Sequence, residues 1–390
     1  MDDAVQVDAT SVWDERYEKG GHVGTAPTIE SDPIDYTQHK FLYSHSIGKP
    51  TTGLLDGWPI ETFAREHLKG RPQRVLAIGS GMAFIEEHLL ANDMVGHITA
   101  YEMSPTAVRA ALQRVADKPY ADRLVMKSAD VLKEDLEPGS FDMVFVQAAI
   151  HHFFEIEEMF ELFHRVLRPD GLLWYDEYVG PDHHMYDRHV LDLMNEINDC
   201  LAPGYRVDIV ANEGRVRDAV PEPSLEFMMQ HDPSEGVHAS RILPLTYQYF
   251  DVIQRQDYGG AIMRPFFTGI LRNFDWDDPK DQTVARLVIL FEQMLTRTST
   301  IPSYHSMVLA RRREVIGAPM PDAVAARITY ADWAGPDEAA PVAPAAEAKV
   351  GRLRALRIKA GRRAPPPARA AWRLGRTLIR IARHRVMHRR

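Results

Sequence analysis

Residues 74–102, RVLAIGSGMAFIEEHLLANDMVGHITAYE, decide how the rest of the chain is read. Val75, Leu76, Ala77 and Ile78 form an apolar run long enough for a buried strand, and Gly79-Ser80-Gly81 follows it at once. Phe84, Ile85, Leu89 and Leu90 then recur at helical spacing, and a second apolar run ends on Glu102. The order is strand, glycine turn, crossover helix, strand, closed by an acid. Glycines lack a Cβ, so they admit unusual φ values and let a ligand approach the backbone at the helix N-terminus. A carboxylate about 20 residues further on, at the tip of the next strand, can accept from both hydroxyls of a ribose. Glu102 follows Gly79 by 23 positions. The stretch therefore reads as a nucleoside-cofactor site built on Gly79, Ser80, Gly81 and Glu102.

Two cofactor classes share that geometry. A dinucleotide site favours G-x-G-x-x-G, whose third glycine lets helix and strand pack closely. Phe84 stands at that third position, which disfavours a nicotinamide oxidoreductase. The stretch instead resembles the first motif of the class I S-adenosylmethionine-dependent methyltransferases. The resemblance implies that the glycine loop faces the amino acid part of the cofactor and that Glu102, with Met103 beside it, binds the ribose. It also implies a Rossmann-like α/β fold: a doubly wound, mostly parallel sheet with an antiparallel last strand.

Further stretches fall in that family's order. Near the N-terminus, Trp13 and Tyr17 form a W-x-x-x-Y segment, which in the family folds over the cofactor. Two aromatics four apart share a helix face, so Tyr17 is either a cofactor contact or a plain hydrophobic anchor. Residues 124–127 read as a third strand running into Asp130 and Val131. The resemblance places the adenine there, with Asp130 receiving its amine; a turn cap is the alternative for Asp130. Residues 141–147 read as a fourth strand ending at Gln147, followed by His151 and His152. Open parallel sheets bind ligands beyond the C-terminal ends of their strands, so these residues should face the reacting methyl group. The Asn/Asp-Pro-Pro-Tyr/Phe pattern of nucleobase and amide methyltransferases is absent here. The stretch LRPDGLLWYDEYVG, residues 167–180, resembles the family's following turn and fifth strand. DPSEGVHASRILPL at residues 232–245, with YGG and LRNFD, resembles bacterial members associated with surface-glycan assembly.

The remaining organisation follows from pattern. Residues 1–70 read as a helical lid and lead-in, with helices at 35–46 and 59–68. Residues 71–313 read as the methyltransferase domain, carrying helical insertions at 181–249 and 259–299 that cover the substrate. Within the insertions, residues 189–201 read as a helix, 207–227 as irregular, and Ser234 as the cap of a helix reaching residue 249. Strands are expected at 250–254 and 304–310, the latter antiparallel. Residues 314–348, rich in Ala and Pro toward their end, read as a linker.

One cysteine, Cys200, excludes an intrachain disulfide framework and fits a reducing compartment. The opening residues are acidic and polar, unlike a secretory leader, and no apolar run approaches the ~20 residues of a spanning helix. The net charge of −9 hides an asymmetry. Residues 349–390 hold 2 Lys, 13 Arg and no acid, whereas the rest sets 31 basic against 55 acidic residues. Residues 370–388 place Leu374, Leu378, Ile381, Ala382 and Val386 on one half of a helix and Arg373, Arg376, Arg380 and Arg383 on the other, with Arg385 and Met387 breaking the scheme. Such a basic amphipathic helix suits an anionic membrane surface ahead of an acidic protein or nucleic acid. A cytoplasmic enzyme, peripheral at the inner membrane face, is expected.

Methyl transfer from a sulfonium is an in-line displacement helped mainly by positioning. A hydroxyl acceptor also needs a base titrating near neutrality, which histidine supplies best. His151 is favoured over its neighbour His152, with Asp176 and Glu177 as further candidates and His183, His184 and His305 behind them. No tight His/Cys cluster marks a metal site in the sequence. The expected acceptor is an oxygen of a small molecule or glycan; the rival function is an inactive cofactor-binding scaffold whose tail recruits partners.

Overall fold

The computed structural model describes residues 14, 17, 36–68 and 73–317, and the backbone of 328–330. Trp13 and the basic segment 349–390 lie outside the described residues. After short helical turns between Tyr36 and Thr52, the elements in chain order begin with α1 (Pro59–His67), β1 (Arg74–Ile78), α2 (Phe84–Ala91) and β2 (His97–Glu102). α3 (Pro105–Val115), β3 (Leu124–Ser128), β4 (Phe141–Gln147), α4 (Ile156–Val166) and β5 (Leu167–Tyr178) follow. The second half holds α5 (Arg188–Cys200), α6 (Leu225–His231), α7 (Ile242–Tyr249) and β6 (Phe250–Gly259). α8 (Met263–Phe267), α9 (Pro279–Arg297), β7 (His305–Arg312) and β8 (Ile328–Tyr330) complete it.

All eight of these strands form one sheet in the order β8-β6-β7-β5-β4-β1-β2-β3. β7 runs antiparallel to both neighbours, β5 and β6, and the other pairs are parallel. The strand order reverses between β1 and β4, which opens a crevice beyond their C-terminal ends. The near-continuous apolar runs are explained by burial on both faces. Along β1, Val75 and Ala77 join one core layer, and Leu76 and Ile78 join the other. β4 repeats the alternation with Met143 and Phe145 against Val144 and Val146. Phe145 stacks on its cross-strand partner Trp174 with ring centroids 5.0 Å apart, a pairing that fixes register.

The antiparallel strand expected at 304–310 is present as β7, and the sheet bears out the expected fold class. Several expectations are corrected. β5 starts earlier than expected: α4 ends at Val166, Leu167 already pairs with Phe141, and the pairing resumes after a register shift at Leu172 opposite Met143. The helix expected to stop near residue 46 continues through a π turn, Ser44–Gly48, to Thr52. The stretch read as a linker contains β8, which pairs in parallel with Arg255, Gln256 and Asp257 of β6. Residues 225–231, partly read as irregular, form α6, capped by Ser224. Ser234 caps no helix; the helical run begins at Ala239, five residues later. Its hydroxyl donates instead to Asp232 Oδ1 at 2.6 Å.

Candidate active site

The turn after β1 has the backbone its glycines permit. Gly79 and Gly81 lie at φ +66° and +50°, and Ala83 holds φ +56° just before α2. A β-carbon on Gly79 would come within 2.3 Å of the Ala149 side chain. One on Gly81 would come within 2.5 Å of the Tyr17 hydroxyl. The glycine loop is therefore pressed between Tyr17 on one side and the turn after β4 on the other. Asp14 secures the segment carrying Tyr17: its Oδ1 accepts from the Ser104 hydroxyl at 2.5 Å and from the Thr106 N–H at 3.0 Å. Ser104 is also the N-cap of α3, accepting from the Ala107 N–H. The anchoring role of Asp14 was not foreseen, although it lies inside the W-x-x-x-Y stretch.

Glu102, at the tip of β2, is buried. Its Oε2 accepts from the Gly81 N–H at 2.8 Å and its Oε1 from the Ser104 N–H at 2.9 Å. Burial raises its pKa, and these backbone donors offset part of that rise. Met103 follows, half exposed, at the same crevice edge. Asp130 caps the turn Val131–Lys133 by accepting from the Leu132 N–H at 3.0 Å, and pairs with Lys133. The turn cap, one of the two roles foreseen for Asp130, is present directly after β3. Val131 is buried in the core beneath.

One polar atom in this crevice, Gln147 Oε1 at the tip of β4, is buried without a partner, while the Ser80 side chain in the glycine loop acts on Glu86. Buried polar groups are ordinarily paired, so Gln147 Oε1 marks where a polar ligand would complete the structure. Nearby Glu86, in the first turn of α2, is pushed up to about 7 by burial.

Across β4 from this crevice the chain assembles a second set of groups. The turn after β4, with Ala148 at φ +48°, carries His151 and His152. Glu177, on the adjacent end of β5, is fully buried behind them. Its Oε1 accepts from the Ala149 and Ile150 N–H groups, both at 2.6 Å, and its Oε2 lies 2.6 Å from His151 Nδ1. Glu177 therefore positions the loop and the ring and does not itself face the crevice. Burial works against the charged form of His151, but Glu177 and Glu235 outweigh it and raise the pKa. Asp176 accepts from the Tyr258 hydroxyl at 2.6 Å and is pushed up to about 7 by burial, so it too is turned inward.

Glu235, arriving from the DPSEG stretch, is the centre of this set and was missed as a site residue. Its Oε1 lies 2.7 Å from His184 Nε2, 3.3 Å from Arg264 Nη2 and 3.9 Å from His151 Nε2. Its Oε2 lies 3.8 Å from His152 Nε2. His152 Nδ1 is 3.0 Å from the Ser234 hydroxyl. The Tyr178 ring forms a wall, with the His184 and His305 rings at 4.2 and 5.5 Å and the Arg264 guanidinium over its face at 5.6 Å. Burial drives His184 down to about 4 and His305 well below its usual value. His183 stands outside this chamber wall, its Nδ1 on the Glu235 carbonyl. A separate depression lined by Pro59, Phe63, His67, Trp174 and Gln254 lies under α1, without comparable chemistry.

Residues 76–175 match the family model described as "Methyltransferase domain", and the match spans both the glycine loop and the turn after β4. This stretch is thus similar to methyltransferase domains, in line with the resemblance to the class I S-adenosylmethionine-dependent family. Over 120 residues the chain is 31% identical to the malonyl-acyl-carrier-protein O-methyltransferase of Laribacter hongkongensis, covering 30% of this chain and 40% of the relative. It is 25% identical over 158 residues to the enzyme of the same name from Legionella pneumophila, covering 37% and 54%. The chain thus spans about half or less of the curated relatives it matches. A geranyl diphosphate C-methyltransferase from Streptomyces coelicolor, solved with S-adenosylhomocysteine, shares 11% identity at a TM-score of 0.40, covering 79% of this chain and 97% of its own.

The cofactor of this domain class is S-adenosylmethionine, and the residues present fit it. Gly79 and Gly81 leave a cradle that a β-carbon would fill, and Gln147 Oε1 awaits a partner. The Glu102 oxygens, each holding one backbone donor, keep lone pairs for ribose hydroxyls.

Proposed function

We propose that this methyltransferase moves the methyl group of S-adenosylmethionine to an oxygen of a small-molecule or glycan acceptor bound against His151, His152 and Tyr178. One observation carries the reading. Ala149, which touches the position of a Gly79 β-carbon, lies two residues before His151, so cofactor loop and histidine pair share one wall. Gly79, Ser80, Gly81, Glu102, Met103, Asp130, Val131, Gln147 and Tyr17 form the donor side. When bound there, S-adenosylmethionine supplies an electrophilic methyl on a sulfonium.

The protein's own groups account for the rest. The crevice orients the acceptor oxygen in line with that methyl. Glu177 fixes the His151 ring through Nδ1, leaving Nε2 turned toward the chamber to receive the acceptor's proton. Tyr178 and the buried rings of His184 and His305 exclude water. The names of the curated relatives support an oxygen as acceptor. The acidic body and basic segment 349–390 support attachment to an anionic membrane at its cytoplasmic face, near a membrane-assembled acceptor.

The test is incubation of purified protein with S-adenosylmethionine and fractionated extract from its source. A product heavier by one methylene, with equimolar S-adenosylhomocysteine, is expected; cofactor binding with no methylated product in any fraction would favour the scaffold. For the tail, truncation after Ala340 should abolish sedimentation with anionic vesicles at low salt, and full-length protein that ignores those vesicles would overturn the membrane reading.

A further inference from the structure

His151, His152 and Glu235 each offer a ligand atom, and the three atoms lie within 4.8 Å of one another. The rings are oriented by what stands behind them. The Ser234 hydroxyl donates its proton to Asp232 Oδ1, so its oxygen can only accept from His152 Nδ1. Glu177 is likewise an acceptor at His151 Nδ1. In both neutral imidazoles the proton therefore sits on Nδ1 and the lone pair on Nε2. Both Nε2 atoms face Glu235, at 3.9 and 3.8 Å. A carboxylate behind the Nδ1 of a ligating histidine is the arrangement that metal sites use to fix tautomer and raise basicity.

Charge points the same way. Asp232, Glu177 and Glu235 bring three carboxylates into a buried chamber, and Arg264 brings one fixed cation. Arg264 and His184 hold Glu235 Oε1, leaving Oε2 on the His152 side. Two imidazoles and one carboxylate suit zinc-like or other first-row divalent transition ions better than magnesium or calcium, which prefer oxygen.

We propose that His151 Nε2, His152 Nε2 and Glu235 bind one divalent transition-metal cation, with an open position facing the acceptor. Ligands about 2.1 Å from such an ion stand about 3.4 Å apart in tetrahedral geometry, so the three atoms, now within 4.8 Å of one another, close by up to about 1.4 Å on binding. The inference builds on the proposed acceptor site and refines it. With the cation bound, the His151 lone pair is occupied. Coordination would lower the pKa of an acceptor hydroxyl, so that it binds as the alkoxide with its proton left in bulk water, in place of the transfer to His151.

The experiment uses the full chain, stripped with chelator and dialysed. Zinc is titrated calorimetrically, and cobalt(II) is added for its visible absorption, with S-adenosylhomocysteine affinity measured on the same samples. Wild type should bind one equivalent with a d–d spectrum of a four- or five-coordinate site. His152→Ala and Glu235→Gln should each weaken zinc by at least about tenfold, with S-adenosylhomocysteine affinity unchanged. Circular dichroism checks both folds, and two chemically different variants guard against one failing. Absence of stoichiometric binding in wild type that still binds S-adenosylhomocysteine overturns the metal site alone. Equal zinc affinity in the variants overturns it as well, by placing the ion elsewhere. Loss of S-adenosylhomocysteine binding in wild type would instead count against the methyltransferase reading.

Discussion

Replacing Glu102 is the most direct probe of the donor site, because each of its oxygens has a known partner. The Gly81 N–H occupies one lone pair on Oε2, and the Ser104 N–H occupies one on Oε1. Two lone pairs remain, enough for two ribose hydroxyls. Hydrogen bonds to a charged acceptor are worth about 1.5–3 kcal/mol each. Glu102→Ala removes two of them, and also leaves two backbone donors seeking water in the hole. Even at the lower end the loss is about 3 kcal/mol, or at least about 100-fold in Kd for S-adenosylhomocysteine. Glu102→Gln should fall between, since its amide keeps one accepting oxygen but turns an NH2 toward one of the two backbone N–H groups. Isothermal titration of both variants, with thermal melts to confirm folding, reads the effect. Affinities within about threefold of wild type in two folded variants would refute the ribose assignment.

Gly79→Ala meets two obstacles, a φ of +66° and an Ala149 contact at 2.3 Å; a destabilisation of about 1–3 kcal/mol is expected in denaturant titrations, and an unchanged midpoint would contradict the described turn. Glu86→Gln tests a buried acid. In the folded state Glu86 keeps its proton up to about pH 7, whereas the unfolded chain releases it near 4.5. Its contribution therefore makes stability fall as pH rises through that window and flatten above it, by up to about 3 kcal/mol. The glutamine variant should melt higher than wild type at pH 8 and about equally at pH 4.5; no gain at pH 8 would show that the carboxylate is well solvated. Glu177→Gln should lower kcat by at least about tenfold with S-adenosylhomocysteine affinity retained. A full-rate variant would remove its role in holding His151.

The donor half was legible because it is local. The strand-turn-strand from Val75 to Glu102, and the loop after Gln147, present their ligand-facing groups in chain order at the tips of parallel strands. The acceptor half is assembled by distance. Glu235 and Arg264 reach the chamber from opposite sides of β6, and no spacing rule links either to His151. The signal that existed was the DPSEG turn, polar residues preceding an apolar helical run. Ser234 was read there as a helix cap because the same residue types serve both purposes. Asp232 competes for its hydroxyl, and the helix starts five residues later. β8 was illegible for another reason: three residues carry no period, and their pairing depends on an edge that β6 leaves exposed. Glu177 and Asp176 were correctly placed at a strand tip. Strand alternation alone could not say that both would turn into the protein.

The reversal of strand order between β1 and β4 divides the inheritance of this enzyme as well as its crevice. Every residue proposed for the donor lies before 150, and apart from His151 and His152 the proposed acceptor chamber comes from residues after 176. The two sets meet at the turn carrying Ala149 and His151. Drift in the later set can alter which molecule is modified while the earlier set continues to serve the same donor. Such a chain can acquire new clients one surface loop at a time.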